Sequence, residues 1–168
     1  MASECCVGLS FRVSIDSTSV RKFVLDTNCF IAASRSEADA ALLETFVQTA
    51  APGLYLSTVV AAELRAGTSR GSDLRKLEKA VLKPYYKRGR VINPSAAAWE
   101  ALGKTLAWLV TNEGITLRTT PKSFIFDILL AYSCREVGAV LISRNERDLQ
   151  RIRRIFSFES TPPYPDLS

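Results

Sequence analysis

The sequence predicts an α/β fold, an α/β/α sandwich around a short-stranded, mostly parallel central sheet. Two observations lead there. Four short stretches, Phe23–Leu25, Leu54–Ser57, Arg90–Ile92 and Ala139–Ile142, are mostly apolar, too brief for helices, and read as strands. They alternate with longer segments whose apolar residues recur at helical spacing, the order expected of helices packed on a parallel sheet. The length of 168 residues suits one compact domain able to bury about two-thirds of its unfolded surface.

Each element has a local reason. Residues 1–20 are Ser/Thr-rich and weakly patterned, and read as an N-terminal extension with a short strand at Ser10–Ile15. Phe23-Val24-Leu25 runs into Asp26-Thr27-Asn28, a buried strand followed by turn and cap chemistry. Cys29–Ala33 and Ala38–Ala50 read as helical, and Pro52-Gly53 breaks the run. After Leu54–Ser57, Thr58 is expected to cap a helix that ends at Gly67. Ser72–Leu82 is a further helix, expected to stop near Pro84. Ser95 caps a helix in which Trp99, Leu102, Leu106, Leu109 and Val110 share a stripe, and Trp99, Leu102 and Leu106 are expected in the core. Residues 112–122 form a loop. Ser123 or Asp127 then opens an apolar helix to about Val137, ended by Gly138. Asn145–Ile152 is a short helix, and Phe156-Ser157-Phe158 is a candidate fifth strand. The organisation is thus an extension at 1–20, one domain at 21–158 and a Pro-rich tail at 159–168.

Composition excludes several function classes. The chain has no His, which removes Ser-His-Asp and Cys-His sites, His general bases and HExxH zinc sites. The four Cys form no CxxC, and Cys29 and Cys134 lie in apolar stretches as small buried hydrophobes. No apolar run approaches the ~20 residues of a membrane span, and the Glu4-containing N-terminus has no basic n-region. A reducing cytoplasm is the expected setting. Glycine patterns for phosphate or dinucleotide cradles are absent. Asn28 stands where a haloacid-dehalogenase-like site needs its second Asp.

The chemistry concentrates in four segments that set an acid or amide in or just after an apolar run: FVLDTN with Asp26, STVVAAELRAG with Glu63, FIFDILLAYS with Asp127 and VLISRNERDLQRI with Asn145 and Asp148. An isolated carboxylate among apolar neighbours is costly unless hydrogen-bonded, paired or bound to a metal. Singly, each has an ordinary reading as a turn, cap or solvated face. Together they sit at strand ends and on the adjoining helices, where a parallel sheet gathers its functional groups. Several acids in one cleft call for a cation, and hard oxygen ligands favour magnesium or manganese over zinc.

These four motifs, in this order, resemble the PIN-domain endoribonucleases, and most of all the VapC-type toxins of type II toxin–antitoxin pairs. The resemblance spans roughly residues 21–158. It implies Mg2+- or Mn2+-dependent cleavage of single-stranded or structured RNA (tRNA, rRNA or mRNA), a homodimer, and a cognate antitoxin that blocks the cleft with its C-terminal segment. It makes Asp26, Glu63 and Asp127 the main metal ligands and leaves Asn145 and Asp148 to share the fourth position. Thr27, Asn28 and Ser143 would support the site. Water activated by the metal would attack the phosphorus in line, leaving a 3′-hydroxyl and a 5′-phosphate. The contrasting reading is a PIN-like module that binds RNA or protein without cutting.

If Asp26, Glu63, Asp127 and Asp148 share a cleft, the other 13 acids face 22 cations, a surround of +9 suited to a polyanion. Arg144, Arg147, Arg118 and Lys122 lie nearest the motifs and are the first candidates for RNA contacts. The stretch Lys83 to Arg90 interleaves cations with Tyr85 and Tyr86.

Overall fold

The computed structural model describes residues 20–68 and 70–167; the expected strand at Ser10–Ile15 lies outside them. Among the described residues five strands form one sheet: β1 (Lys22–Leu25), β2 (Leu54–Ser57), β3 (Val91–Ile92), β4 (Ala139–Ile142) and β5 (Ser160–Thr161). Their order is β3-β2-β1-β4-β5 and every pairing is parallel. Around it the described residues form eight α-helices: α1 (Thr27–Arg35), α2 (Glu37–Ala50), α3 (Thr58–Ala66), α4 (Gly71–Leu77), α5 (Lys83–Lys87), α6 (Ala96–Glu113), α7 (Lys122–Glu136) and α8 (Glu146–Arg153).

The central strands β1, β2 and β4 are apolar on both faces because both are covered. Phe23, Leu25, Leu54, Val140 and Ile142 face α1, α2 and the C-terminal segment, meeting Phe46, Cys29 and Ala50. Val24, Tyr55 and Leu141 face the other way, into a core with Val60 of α3, Leu102 and Leu109 of α6, and Ile128 to Ala131 of α7. The period-two alternation of side chains thus feeds two cores, and the sandwich is α/β/α. Gly53 is required where β2 begins, since a Cβ there would lie 2.1 Å from the Arg21 carbonyl oxygen.

Several local expectations are corrected. Ser57, not Thr58, caps α3, its hydroxyl accepting from Val59 N. The helix after Gly71 does not stop at Pro84. A π turn at Glu78–Leu82 widens the path, and α5 carries Pro84 in its first turn, where a missing N–H costs little. The chain then turns at Gly89, with φ +64°. Trp99 is 54% exposed, not core. The inward positions of α6 belong to Ala98, Leu102, Thr105 and Leu109, recurring at helical spacing. Helix α7 starts at Lys122, which places Asp127 in its second turn and not at its head. The fifth strand is Ser160–Thr161; Phe156 and Phe158 instead pack by their rings, Phe156 stacked on Tyr132 at 3.7 Å between centroids.

This order puts β1 at a switch point: the chain leaves it to β2 on one side and returns as β4 on the other. In an open parallel sheet that crevice, at the carboxyl ends of the strands, is where ligands bind.

Candidate active site

The site begins at the β1–β4 ladder. Leu25 is level with Ile142, so Asp26 and Ser143 are the next residues on neighbouring strands. Asp26 N still donates to the Ile142 carbonyl at 2.9 Å. The Ser143 hydroxyl donates to Asp26 Oδ2 at 2.5 Å, and Asn28 Nδ2 donates to the same oxygen at 2.6 Å. Asn28 Oδ1 accepts from Arg144 N, and Ser143 Oγ accepts from Asn145 N. Residues 26–28 and 143–145 are therefore laced into one rigid edge.

Asp26 is only 4% exposed. Burial pushes its carboxyl above the ordinary value, against hydrogen bonds from Ser143 and the backbone of Thr27 and Asn28. Glu63, in the second turn of α3, is half-buried and accepts from Thr27 Oγ1 at 2.6 Å. Burial raises its pKa as well, with the Asp26 charge adding to it. Asp127, 7% exposed, is pushed up to about 8, first by burial and then by the charges of Asp26, Asp148 and Glu63. Asn145 Nδ2 bridges the remaining pair, donating to Asp127 Oδ2 at 2.9 Å and to Asp148 Oδ2 at 2.8 Å.

Asp26 just after β1, Glu63 on α3, Asp127 on α7, and Asn145 and Asp148 at the start of α8 are thus brought close enough that Asp127 feels the charges of the other three acids and Asn145 joins two of them. Thr27, Asn28 and Ser143 support the carboxylates directly. The donor set is carboxylate and amide oxygen, which suits a hard divalent ion. The charges repel, which a cation would relieve. Each carboxylate is turned toward a hydroxyl or amide of the protein, and no group of three Asp, Glu or Cys side chains among the described residues is arranged to hold an ion as it stands. The residues fit the ion in kind, and binding would redirect side chains that are now hydrogen-bonded to Thr27, Ser143 and Asn145.

The cations proposed for RNA separate. Arg118, Lys122 and Arg147 are exposed. The Arg144 guanidinium is committed to Asp39 of α2. Asp39 was not anticipated, and no local pattern marks it, because it is 105 positions from its partner.

Beside this geometry stands a family comparison: the model of the PIN domain matches residues 23–155. The chain belongs to the PIN domain family. Solved structures with a similar fold include the DNA-bound VapBC complex of Salmonella typhimurium, 20% identical with TM-score 0.60 over 84% of this chain and 98% of that one. VapBC-1 of nontypeable Haemophilus influenzae is 19% identical with TM-score 0.59, covering 83% and 96%. FitAcB of Neisseria gonorrhoeae is 18% identical with TM-score 0.56, covering 82% and 95%. At these identities the likeness is one of fold. A comparison with curated protein sequences found no match.

Proposed function

We propose that this PIN domain is a divalent-metal-dependent endoribonuclease and the toxin of a toxin–antitoxin pair. The observation that carries the reading is the arrangement of the acids: Asp26 held by Ser143 and Asn28, Glu63 by Thr27, and Asp127 and Asp148 bridged by Asn145, with Asp127 feeling the charges of the other three. Carboxylates held in mutual repulsion beside a topological switch point suit a cation and a phosphodiester. Family membership supports the nuclease class, and the fold shared with VapBC and FitAcB chains supports the toxin setting.

In this reading Asp26, Glu63 and Asp127 hold Mg2+ or Mn2+, with Asp148 or Asn145 completing the set. The bound ion would supply polarised water and charge neutralisation at the phosphoryl oxygens. The chain's own residues orient the ligands. Ser143 and Asn28 fix Asp26, Thr27 fixes Glu63, and Asn145 holds Asp127 and Asp148 together. The substrate is RNA, the protein acts in the cytoplasm as a homodimer, and a cognate antitoxin restrains it. No helix among the described residues is long and apolar enough to cross a membrane.

The test is cleavage of total RNA by the purified full chain in Mg2+, Mn2+ or EDTA, with Asp26→Asn alongside. Cutting that both EDTA and the substitution abolish supports the proposal. Cutting that survives the substitution contradicts the site. A folded, antitoxin-free protein that cuts under no metal is a binding module.

A further inference from the structure

Between Gly71 and Arg90 the sequence holds seven cations against two acids, a net +5 that equals the net charge of the whole chain. Glu78, one of the two acids, is taken by Arg65 of α3 at 2.7 Å. Arg75, Lys76, Lys79, Lys83, Lys87 and Arg88 are all exposed, and among the described residues none of them forms an ion pair. Elsewhere Arg21, Arg144, Arg151 and Arg153 each have an acidic partner. Lys79, Lys83, Lys87 and Arg88 line one shallow surface depression with Pro84, so the π turn and α5 bring them to a common face.

The placement matters as much as the charge. Helix α3 leaves the carboxyl end of β2 and carries Glu63, and α4 follows within a few residues. Helix α5 then delivers the chain to the amino end of β3. From Gly71 to Lys87 the ridge spans about 25 Å at helical rise, and the Arg65–Glu78 ion pair ties it to the helix that carries Glu63. Tyr86 is exposed, but the Arg65 guanidinium already lies over its ring, 5.8 Å from the centroid. The face offers charge more than open stacking platforms.

We propose that this ridge binds the phosphate backbone of RNA flanking the cleavage point, without reading its sequence. The proposal rests on the ribonuclease reading and adds the path of the substrate. The ridge lysines contribute affinity through counterion release, which makes the contribution additive and salt-dependent.

The test is binding of the full chain, in EDTA to prevent cutting, to a fluorescent RNA of about 30 nucleotides across a salt series. The variant is the triple Lys79→Gln/Lys83→Gln/Lys87→Gln, with the triple Lys→Arg form and thermal melting as folding controls. The proposal expects about tenfold or greater weakening near physiological salt, retained affinity in the Arg form, and a log–log salt slope shallower by about 2, from roughly 0.7 per phosphate contact. Equal affinity and slope in wild type and the Gln triple would overturn it while leaving the nuclease reading intact. A Gln triple that keeps RNA binding but loses a polyglutamate peptide would assign the ridge to an acidic protein partner and overturn it too. Wild-type protein that binds no RNA at any salt would overturn it, while the cleavage assay in Mg2+ or Mn2+ decides the nuclease reading separately.

Discussion

The acids at the carboxyl end of the sheet and the cations along α4 and α5 are both dense charge clusters, yet the fold treats them in opposite ways. Asp26 and Asp127 are buried, each raised by desolvation, and Asp127 also feels three other carboxylates. The ridge lysines are exposed and are held by no ion pair among the described residues. Desolvated charges couple strongly and oppose folding when unpaired. Solvated ones are screened and act nearly independently. In the proposed reading the first cluster would receive a divalent cation at a fixed point, and the second would offer a diffuse field.

The largest expected effect follows from the coupled cluster. Asp127→Asn should lower metal-dependent RNA cleavage by on the order of 10²-fold or more, yet raise the melting temperature of the metal-free protein at neutral pH, because an amide needs no proton taken up on folding. The sign follows from linkage. The Asp127 carboxyl is held near 8 in the fold and near 3.9 in an unfolded chain. Its stabilising contribution is complete below the unfolded value and is lost as pH rises through the folded one. Metal-free wild type should therefore weaken between about pH 4 and pH 8, and Asp127→Asn should flatten that loss in thermal melts.

A smaller effect belongs to the support. Ser143→Ala removes a donor to buried Asp26 and an acceptor for Asn28 and Asn145 N. Leaving such groups underserved costs about 1–3 kcal/mol, measured by urea denaturation. The cleavage rate should fall less than in Asp26→Asn. Smallest is Lys83→Gln on the ridge, whose stability change should stay within about 0.5 kcal/mol by the same measurement. A larger change would mean that the ridge is structurally coupled after all.

Much of this contrast was legible in the amino-acid sequence, for definable reasons. Asp26, Glu63 and Asp127 stand out because a carboxylate inside an apolar run is anomalous wherever it occurs. The central strands are legible because burial on both faces makes them continuously apolar. What stayed hidden depended on contacts distant in sequence or on small residues. Ser160–Thr161 joins β4 through backbone hydrogen bonds such as that from Ser143 N to the Thr161 carbonyl, with no apolar signal. Trp99 yields the inward face of α6 to Ala98 and Thr105, which large-residue patterning overlooks. The π turn lets a helix pass Pro84, a residue that ordinarily ends one. The amide of Asn145 between Asp127 and Asp148 requires α7 and α8 to meet, and the spacing within RNERD shows only one of its two partners.

The central claim is that the buried acids form a divalent-ion site. Its most direct test is calorimetric titration of Mn2+ into the metal-free full chain near pH 7.5, beside Asp127→Asn. The account predicts saturable binding to wild type with release of protons, since Asp127 must ionise to serve as a ligand, and a loss of that binding in the variant. Equal binding by both proteins, or no saturable binding to folded wild type, would contradict it.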